Sequence, residues 1–336
     1  MLKYFSMFSG IGGFEYGIGD IGECVGYSEI DKYAEAIYWY HYPEHKGYGN
    51  ATKINTDDLP DFDLLVGGFP CQSFSIAGKR GGFSDSRGTL FFEIARICAD
   101  KRPGYILLEN VKGLLSHSDG KTFQSILGIL SDIGYLLQWE VLNSCNFGVP
   151  QNRERVFIIG HLRGTARPKV FPIGEPEGLL DGEGQTLLMG CFSGKYRLNN
   201  RELLQINSDK PQGQRVYDPD GLSTGIARNT GGWGRSTGLY AIDTRQTRDG
   251  VRVSDNMPCL NKSMAKDMYK VSDGIKIRRL TPLEAERLQA FPDSWTKYGL
   301  FDDGIKEISD TQRYKCLGNA VTTSVIREIM QRLKDV

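Results

Sequence analysis

The sequence predicts an α/β fold: a doubly wound, mostly parallel sheet, joined to a smaller, loop-rich, mainly β second domain. Three observations predict it. Strand-like and helix-like stretches alternate through the first 165 residues, the pattern of a parallel sheet covered on both faces. A glycine loop, Ser9-Gly10-Ile11-Gly12-Gly13, separates the first apolar run from the first helix. From about residue 167 to residue 277 the alternation stops, and Gly, Asn, Asp, Ser, Thr and Arg take over. The expected boundaries are residues 1–175 together with 278–336 for one domain, interrupted by residues 176–277 for the other.

Taken in order, residues 3–8 are a short apolar run read as a strand, 14–21 a helix, 23–28 a second strand and 31–40 a second helix. Leu64-Leu65-Val66 is a buried-strand signature stopped by Gly67-Gly68. Residues 90–99 read as a helix, 105–108 as a strand, 122–133 as a helix and 155–159 as another strand. Within the loop-rich region only 238–242 and 250–253 look β-like. Helix signals resume at Thr281-Pro282-Leu283-Glu284, where Thr caps, Pro fits the first helical position and Glu completes a capping box. A last helix is expected over 323–333.

Composition narrows the function classes. The 336 residues contain 41 Lys+Arg and 41 Asp+Glu with 40% hydrophobic content, which excludes disorder and collagen. No apolar run approaches the roughly 18 residues of a membrane span, and the first eight residues are too short for a signal-peptide core. Seven cysteines without a C-x-x-C pair argue against a disulfide framework and a zinc site. The expectation is a cytoplasmic protein with no metal and no membrane partner. Its zero net charge conceals segregation: residues 1–70 hold 4 Lys/Arg against 11 Asp/Glu, residues 71–170 hold 13 against 8, and residues 191–280 hold 16 against 9. A polyanion feels the local field, so the basic blocks are compatible with a DNA face, as they are with solvated surface.

The glycine loop lies where an α/β sheet binds a nucleotide-like cofactor. A dinucleotide fingerprint wants a third glycine at position 15, which here is Glu15. A carboxylate beside a pyrophosphate is wrong for NAD but tolerable for a ligand without phosphate, such as S-adenosyl-L-methionine. Glu29, ending the second strand, is placed to accept from ribose hydroxyls; a tight structural turn is the other reading of the loop. In Gly67-Gly68-Phe69-Pro70-Cys71-Gln72-Ser73-Phe74-Ser75, a cysteine sits on a loop at the carboxyl end of a strand, with Lys79, Arg80 and Arg87 following closely. Nearby cations are what a reactive thiolate needs.

These segments resemble the motifs of the DNA cytosine-5 methyltransferases, especially those of bacterial restriction–modification systems. Pro70-Cys71-Gln72 resembles the catalytic motif, Phe8–Phe14 the cofactor loop, and Glu29-Ile30-Asp31 the ribose-binding strand end. Arg87-Gly88-Thr89-Leu90-Phe91, Glu109-Asn110-Val111, Gln151-Asn152-Arg153-Glu154-Arg155, Arg279-Leu280-Thr281-Pro282 and Leu317-Gly318-Asn319-Ala320-Val321 follow in the family's order. The resemblance covers roughly residues 1–165 and 278–336, and the basic block of 191–280 falls where the family keeps its target-recognition domain.

The resemblance implies a class I S-adenosylmethionine-dependent methyltransferase fold and methyl transfer from S-adenosyl-L-methionine to cytosine C5, leaving S-adenosyl-L-homocysteine. It implies that the Cys71 thiolate adds to C6 of a flipped-out cytosine, with Glu109 as acid toward N3, Arg155 at the O2 side and Arg153 positioning its neighbours. Cofactor contacts would come from Phe8, Gly10, Ile11, Gly12, Gly13, Glu29, Ile30, Asn50, Pro70, Leu90, Asn319 and Ala320. At position 50 the family usually has Asp, accepting from the adenine amino group; an Asn oxygen there predicts a weaker bond. Phe69 and Pro70 would line the base pocket, and residues 76–84, with Gly78, Gly81 and Gly82, would form a lid. Gln72, Ser73, Ser75, Lys79, Arg80 and Arg87 are candidate DNA contacts, and Arg228, Asn229, Arg235, Arg245, Arg248 and Arg252 suit base edges. The implied partner is double-stranded DNA, acted on by a monomer, with a separate cognate restriction endonuclease. The same chemistry on tRNA, a nicotinamide-dependent oxidoreductase and an inactive DNA-binding protein are the alternatives.

Overall fold

A computed structural model describes residues 1–69, 90–173 and 280–334, together with the backbone of strands at 240–243, 252–254, 257–258, 270–272 and 277–279. The first part alternates as expected: β1 (Leu2–Met7), α1 (Gly13–Ile18), β2 (Gly22–Ser28), α2 (Lys32–His41), β3 (Leu64–Gly68), α3 (Leu90–Lys101), β4 (Tyr105–Val111) and α4 (Lys121–Ile133). Then come β5 (Tyr135–Asn143), the two-residue β6 (Gln151–Asn152) and β7 (Glu154–Leu162). The main sheet has the order β2-β1-β3-β4-β7-β5. β1 is parallel to β2 and β3, and β3 to β4, whereas β7 runs antiparallel to both β4 and β5.

Period-2 alternation explains why this sheet is covered twice. Phe5, Leu65, Ile106, Leu108, Val156 and Ile158 face α3 and α4, meeting Ile94, Ile97, Ile126 and Leu130. Tyr4, Leu64, Val66, Leu107, Phe157 and Ile159 face the other way, meeting Phe14 and Ile18 of α1 and Val325, Ile326 and Ile329 of the C-terminal helix. Burying both faces is what a strand such as Leu64-Leu65-Val66 requires, since no residue in it is polar.

The strand expected at 155–159 is β7, and it supplies the antiparallel part of a mostly parallel sheet. The connection from β5 back to β7 is short, which suits an antiparallel return, while α4 supplies the crossover that makes β5 parallel to β4. β5 itself had no expectation attached to it. It is an edge strand of mixed, mostly intermediate burial, so its sequence lacks the clean alternation that marks a half-buried strand.

The second β region begins with β8 (Tyr240–Asp243), β9 (Arg252–Ser254) and β10 (Met257–Pro258), followed by β11 (Lys270–Ser272) and β12 (Ile277–Arg279). Four of these form an antiparallel sheet ordered β12-β11-β8-β9, while β10 pairs with β6. β12 leads into α5 (Pro282–Leu288), whose capping box at Thr281 and Glu284 forms as expected, with Pro282 at its start. A hairpin, β13 (Tyr298–Phe301) and β14 (Gly304–Glu307), precedes α6 (Asp310–Asn319) and α7 (Thr323–Lys334). α6 was not legible beforehand, because only Cys316, Leu317 and Gly318 are buried along its ten residues.

α7 returns to the main sheet and closes on α1 very tightly. A Cβ added at Gly17 would stand 2.6 Å from Ile326 Cβ and 2.8 Å from the Thr323 carbonyl oxygen. A third apolar cluster, Ile11, Ala34, Ile37, Leu288, Phe291, Trp295 and Leu317, joins α2, α5 and α6 to the glycine loop. Trp295 Nε1 donates to the Ile11 carbonyl at 2.9 Å, so residues 280–334 physically support that loop. No helix among the described residues is long and apolar enough to cross a membrane.

Candidate active site

The carboxyl ends of β1, β2, β3 and β4 lie on one edge of the sheet, the edge where α/β folds bind ligands. Because β7 is antiparallel, its first residues come to the same edge, and Arg155 pairs in register with Val111. The edge therefore collects Gly10, Glu29, Phe69, Glu109, Arg153 and Arg155, which are scattered over 145 positions of sequence. Cys71 and its neighbours Pro70, Gln72, Ser73, Ser75, Lys79, Arg80 and Arg87 lie outside the described residues, as do Arg228, Asn229, Arg235, Arg245 and Arg248. For Arg252 only the strand backbone is described.

The glycine loop is built from left-handed backbone. Gly10 has φ +59° and Gly12 φ +83°, values that glycine adopts freely. Phe8 has φ +55°, which for an aromatic residue is strained. Ser9 N–H donates to the Ser28 carbonyl at 3.1 Å, locking the loop to the end of β2. Glu29 then organises the neighbourhood: Oε2 accepts from Gly10 N–H, and Oε1 from the N–H groups of Ile30 and Asp31, each at 2.8 Å. Ile30 is 69% exposed, an apolar surface beside a carboxylate. A Cβ at Gly10 or Gly49 would meet nothing within 4 Å, so the loops bound open space. Acidic groups without a cation from the loop itself suit a positively charged, phosphate-free cofactor and not a pyrophosphate.

Asn50 differs from expectation in orientation. Its Oδ1 accepts from Thr52 N–H at 3.0 Å and from Thr52 Oγ1 at 2.9 Å, capping a short 3-10 turn over Ala51–Lys53. The oxygen expected to serve a ligand thus already accepts two hydrogen bonds, and the side chain's remaining polar edge is the Nδ2 donor. Asp31 caps α2 and pairs with Lys315 of α6. Burial pushes the Asp31 carboxyl up, but the Lys315 ammonium and the capping N–H groups outweigh it and hold it below the usual range.

At the centre of the edge, Arg155 Nε lies 3.0 Å from Glu109 Oε1, and Glu109 is only 9% exposed. Burial raises the Glu109 pKa, while Arg155 and then Arg153 pull against it. Next to Glu109, Asn110 donates from Nδ2 to the Phe69 carbonyl at 2.8 Å. That bond ties the end of β4 to the last described residue of the β3 loop, immediately before Pro70 and Cys71. Phe69 is buried, its ring 5.4 Å from that of Phe91.

Arg153 is 2% exposed and points to the C-terminal region, donating from Nη2 to the Ala320 carbonyl at 2.6 Å. Asn319 ends α6 and Ala320 is its C-cap, and the next residue, Val321, lies against the glycine loop, its Cγ2 2.8 Å from where a Cβ at Gly13 would be. Leu90 starts α3, directly after the undescribed segment. Sequence reasoning missed a buried polar cluster behind these groups. Gln151 Nε2 donates to the Leu288 carbonyl at 2.6 Å, and Gln289 Nε2 to the Leu317 carbonyl at 2.9 Å. Thr322 Oγ1 donates to Gln289 Oε1 at 2.7 Å and sits 2.8 Å from Ser144 Oγ. The signal available was modest: Gln151 and Gln289 are two uncharged polar residues among charged neighbours such as Arg153, Glu154, Glu286 and Arg287.

Comparisons with known proteins agree with this geometry. The profile of the C-5 cytosine-specific DNA methylases matches residues 2–335. The chain is 35% identical over 333 residues to the type II methyltransferase M.DsaV of Dactylococcopsis salina, covering 99% of this chain and 86% of that one. It is 32% identical over 344 residues to the type II methyltransferase M.HhaI of Haemophilus parahaemolyticus, covering 98% and 93%. Among solved structures, the S. pombe Dnmt2 methyltransferase superposes with a TM-score of 0.62 at 19% identity, covering 99% of this chain and 98% of that one. That likeness speaks to the fold.

Proposed function

Since the chain belongs to the C-5 cytosine-specific DNA methylases, we propose that it methylates cytosine C5 within a short specific DNA sequence, as the protective enzyme of a restriction–modification system. The observation that carries the reading is the buried Glu109–Arg155 pair beside the end of β3, from which the Cys71 segment departs. S-adenosyl-L-methionine, whose fit is supported by the acidic, open glycine loop, supplies an electrophilic methyl group when bound.

The protein's part is to make C5 nucleophilic. The Cys71 thiolate adds to C6 of the target ring, giving C5 enamine character; after methylation, loss of the C5 proton expels the thiolate. Electron density that moves onto the ring during addition needs a proton or donor at N3. Glu109 supports that role, because burial favours its neutral, donating form. Arg155 stabilises negative charge at the O2 side, and Arg153 holds its neighbours through the carbonyl of Ala320. A base inside a duplex cannot reach these groups, so the cytosine is flipped out, with Phe69 and Pro70 framing the pocket and residues 76–84 closing over it. Arg228, Arg235, Arg245, Arg248 and Arg252 are proposed to contact DNA, with Gln72, Ser73, Ser75, Lys79, Arg80 and Arg87 nearer the flipped base.

Incubating the protein with S-adenosyl-L-methionine and duplex DNA containing 5-fluorocytosine tests the reading. A stable covalent adduct is expected with the wild type and none with Cys71→Ala; absence of any adduct over all sequence contexts overturns it. A parallel arm with tRNA is expected to give no methyl transfer.

A further inference from the structure

The glycine loop needs support from outside itself. Gly10 and Gly12, which flank Ile11, both take left-handed backbone, and glycine leaves that region as readily as it enters it. On the β2 side the loop is pinned by Glu29, which accepts from Gly10 N–H, and by the Ser28 carbonyl, which accepts from Ser9 N–H. On the other side Trp295 Nε1–H donates to the Ile11 carbonyl at 2.9 Å, across 284 positions of sequence. Ile11 is buried, so a carbonyl deprived of that donor would have no water to replace it.

Trp295 is itself held in an unfavourable backbone setting. It lies on the turn after α5, where Ala290 (φ +59°) and Ser294 (φ +66°) both adopt left-handed backbone that residues with a Cβ disfavour. Glu286, fully buried, fastens that turn on both sides of the tryptophan: Oε2 accepts from Ser294 N–H and Oε1 from Thr296 N–H, each at 2.8 Å. Arg313 Nη2 reaches the same Oε1 at 2.9 Å, so the buried carboxylate is matched by a cation. The indole lies face to face with His41, the ring centres 3.6 Å and the planes 5° apart, and His41 Nε2 donates to the Trp295 carbonyl at 2.7 Å. Strain that a buried ion pair and an aromatic stack together enforce points to a geometry that function requires, since a turn that merely joined α5 to β13 could relax. A core needs only the ring; the N–H of Trp295 is spent on the loop.

We propose that Trp295 is a positioning residue for the cofactor: its N–H fixes the Ile11–Gly12 peptide in the orientation to which the methyl donor binds, so the loop is formed before the cofactor arrives. The proposal rests on the reading of the glycine loop as the S-adenosyl-L-methionine site. Trp295 acts through Ile11 and not by contact with the reacting atoms. Losing the N–H frees that peptide, and binding must then supply the ordering, which weakens affinity without altering the chemical step.

Calorimetric titration of the full-length protein with S-adenosyl-L-homocysteine tests this in Trp295→Phe, which keeps an aromatic ring against His41 and loses the N–H. Affinity is expected to fall about tenfold, the loss that follows when the loop is correctly formed about one tenth of the time. Benzothienylalanine at position 295, which has the indole's shape with sulfur in place of the N–H, is expected to give the same loss with the melting temperature kept. In methyl transfer to unmethylated genomic DNA, both variants should raise KM for S-adenosyl-L-methionine by that factor, with kcat at saturating cofactor and KM for DNA unchanged. Amide hydrogen exchange over residues 9–13 of the unliganded protein should quicken in both. Wild-type S-adenosyl-L-homocysteine affinity in the benzothienylalanine protein, or a fall in kcat with KM unchanged, overturns the proposal and leaves the cofactor reading standing. A wild type that binds no S-adenosyl-L-homocysteine overturns that reading, and the proposal with it.

Discussion

Glu109 sits between two opposing influences, burial that favours its neutral form and the Arg155 guanidinium 3.0 Å away that favours its charged one. If Glu109 is the acid toward N3, methyl transfer declines as pH rises through its pKa. Replacing Arg155 by Gln removes the cation that lowers this pKa, so the alkaline limb of the single-turnover rate should move to higher pH while the maximal rate drops about 10²–10³-fold. A limb that moves to lower pH, or stays in place, contradicts the assignment. Glu15 offers a second titration, in stability. Its pKa is raised from 4.5 to about 7, by burial above all, with hydrogen bonds from Ser6, from its own backbone N–H and from the Tyr38 hydroxyl pulling the other way. Above pH 4.5 the unfolded chain loses this proton before the folded one does, so stability falls from about pH 4.5 to about pH 7 and is level beyond. The loss is of order a few kcal/mol. Glu15→Gln should therefore raise the melting temperature at pH 8 and leave it nearly unchanged at pH 4.5, read by calorimetry. With Oδ1 engaged by Thr52, Asn50→Asp would offer a second, free carboxylate oxygen. Tighter S-adenosyl-L-homocysteine binding in that variant, by roughly tenfold for a charge-assisted bond, is the expected titration result.

Elements differ in how visibly the sequence announces them. β3 and β4 were legible because Leu64-Leu65-Val66 and Ile106-Leu107-Leu108 are apolar on both faces, and α5 because Thr281-Pro282-Leu283-Glu284 is a local capping device that forms irrespective of what packs later. α6 was not legible, because its stability comes from outside it. Lys315 pairs with Asp31, and Arg313 with the fully buried Glu286, whose Oε1 also accepts from Thr296 N–H at 2.8 Å. Similarly, nothing in Gly17 announces that α7 crosses there. Gly17→Ala should force α1 and α7 apart and destabilise the protein by about 1–3 kcal/mol in urea unfolding, despite the better helix propensity of alanine. Gln289→Ala should cost a similar amount, since it removes the buried side chain that joins the Leu317 carbonyl to the Thr322 hydroxyl.

For the whole molecule, zero net charge hides an arrangement that a polyanion would feel. The basic excess of residues 191–280 predicts that DNA binding is strongly salt-dependent, weakening on the order of 10³-fold between 50 and 200 mM salt for about six phosphate contacts. Cofactor binding should be nearly indifferent to the same change; fluorescence anisotropy of labelled duplex beside cofactor titration compares the two. The amino-acid order alone determined the alternating α/β architecture, the glycine loop, the capping of α5 and the ordered motifs that named the family, because each is written in neighbouring residues or in short-period patterning. Folding decided the rest. Only the antiparallel insertion of β7 between β4 and β5 brings Arg155 to Glu109, only the approach of α6 gives Arg153 the Ala320 carbonyl, and only the packing of α1 against α2 brings the Tyr38 hydroxyl to the buried Glu15. Such contacts join residues that are far apart in sequence, and their energies depend on burial and orientation that local sequence does not encode.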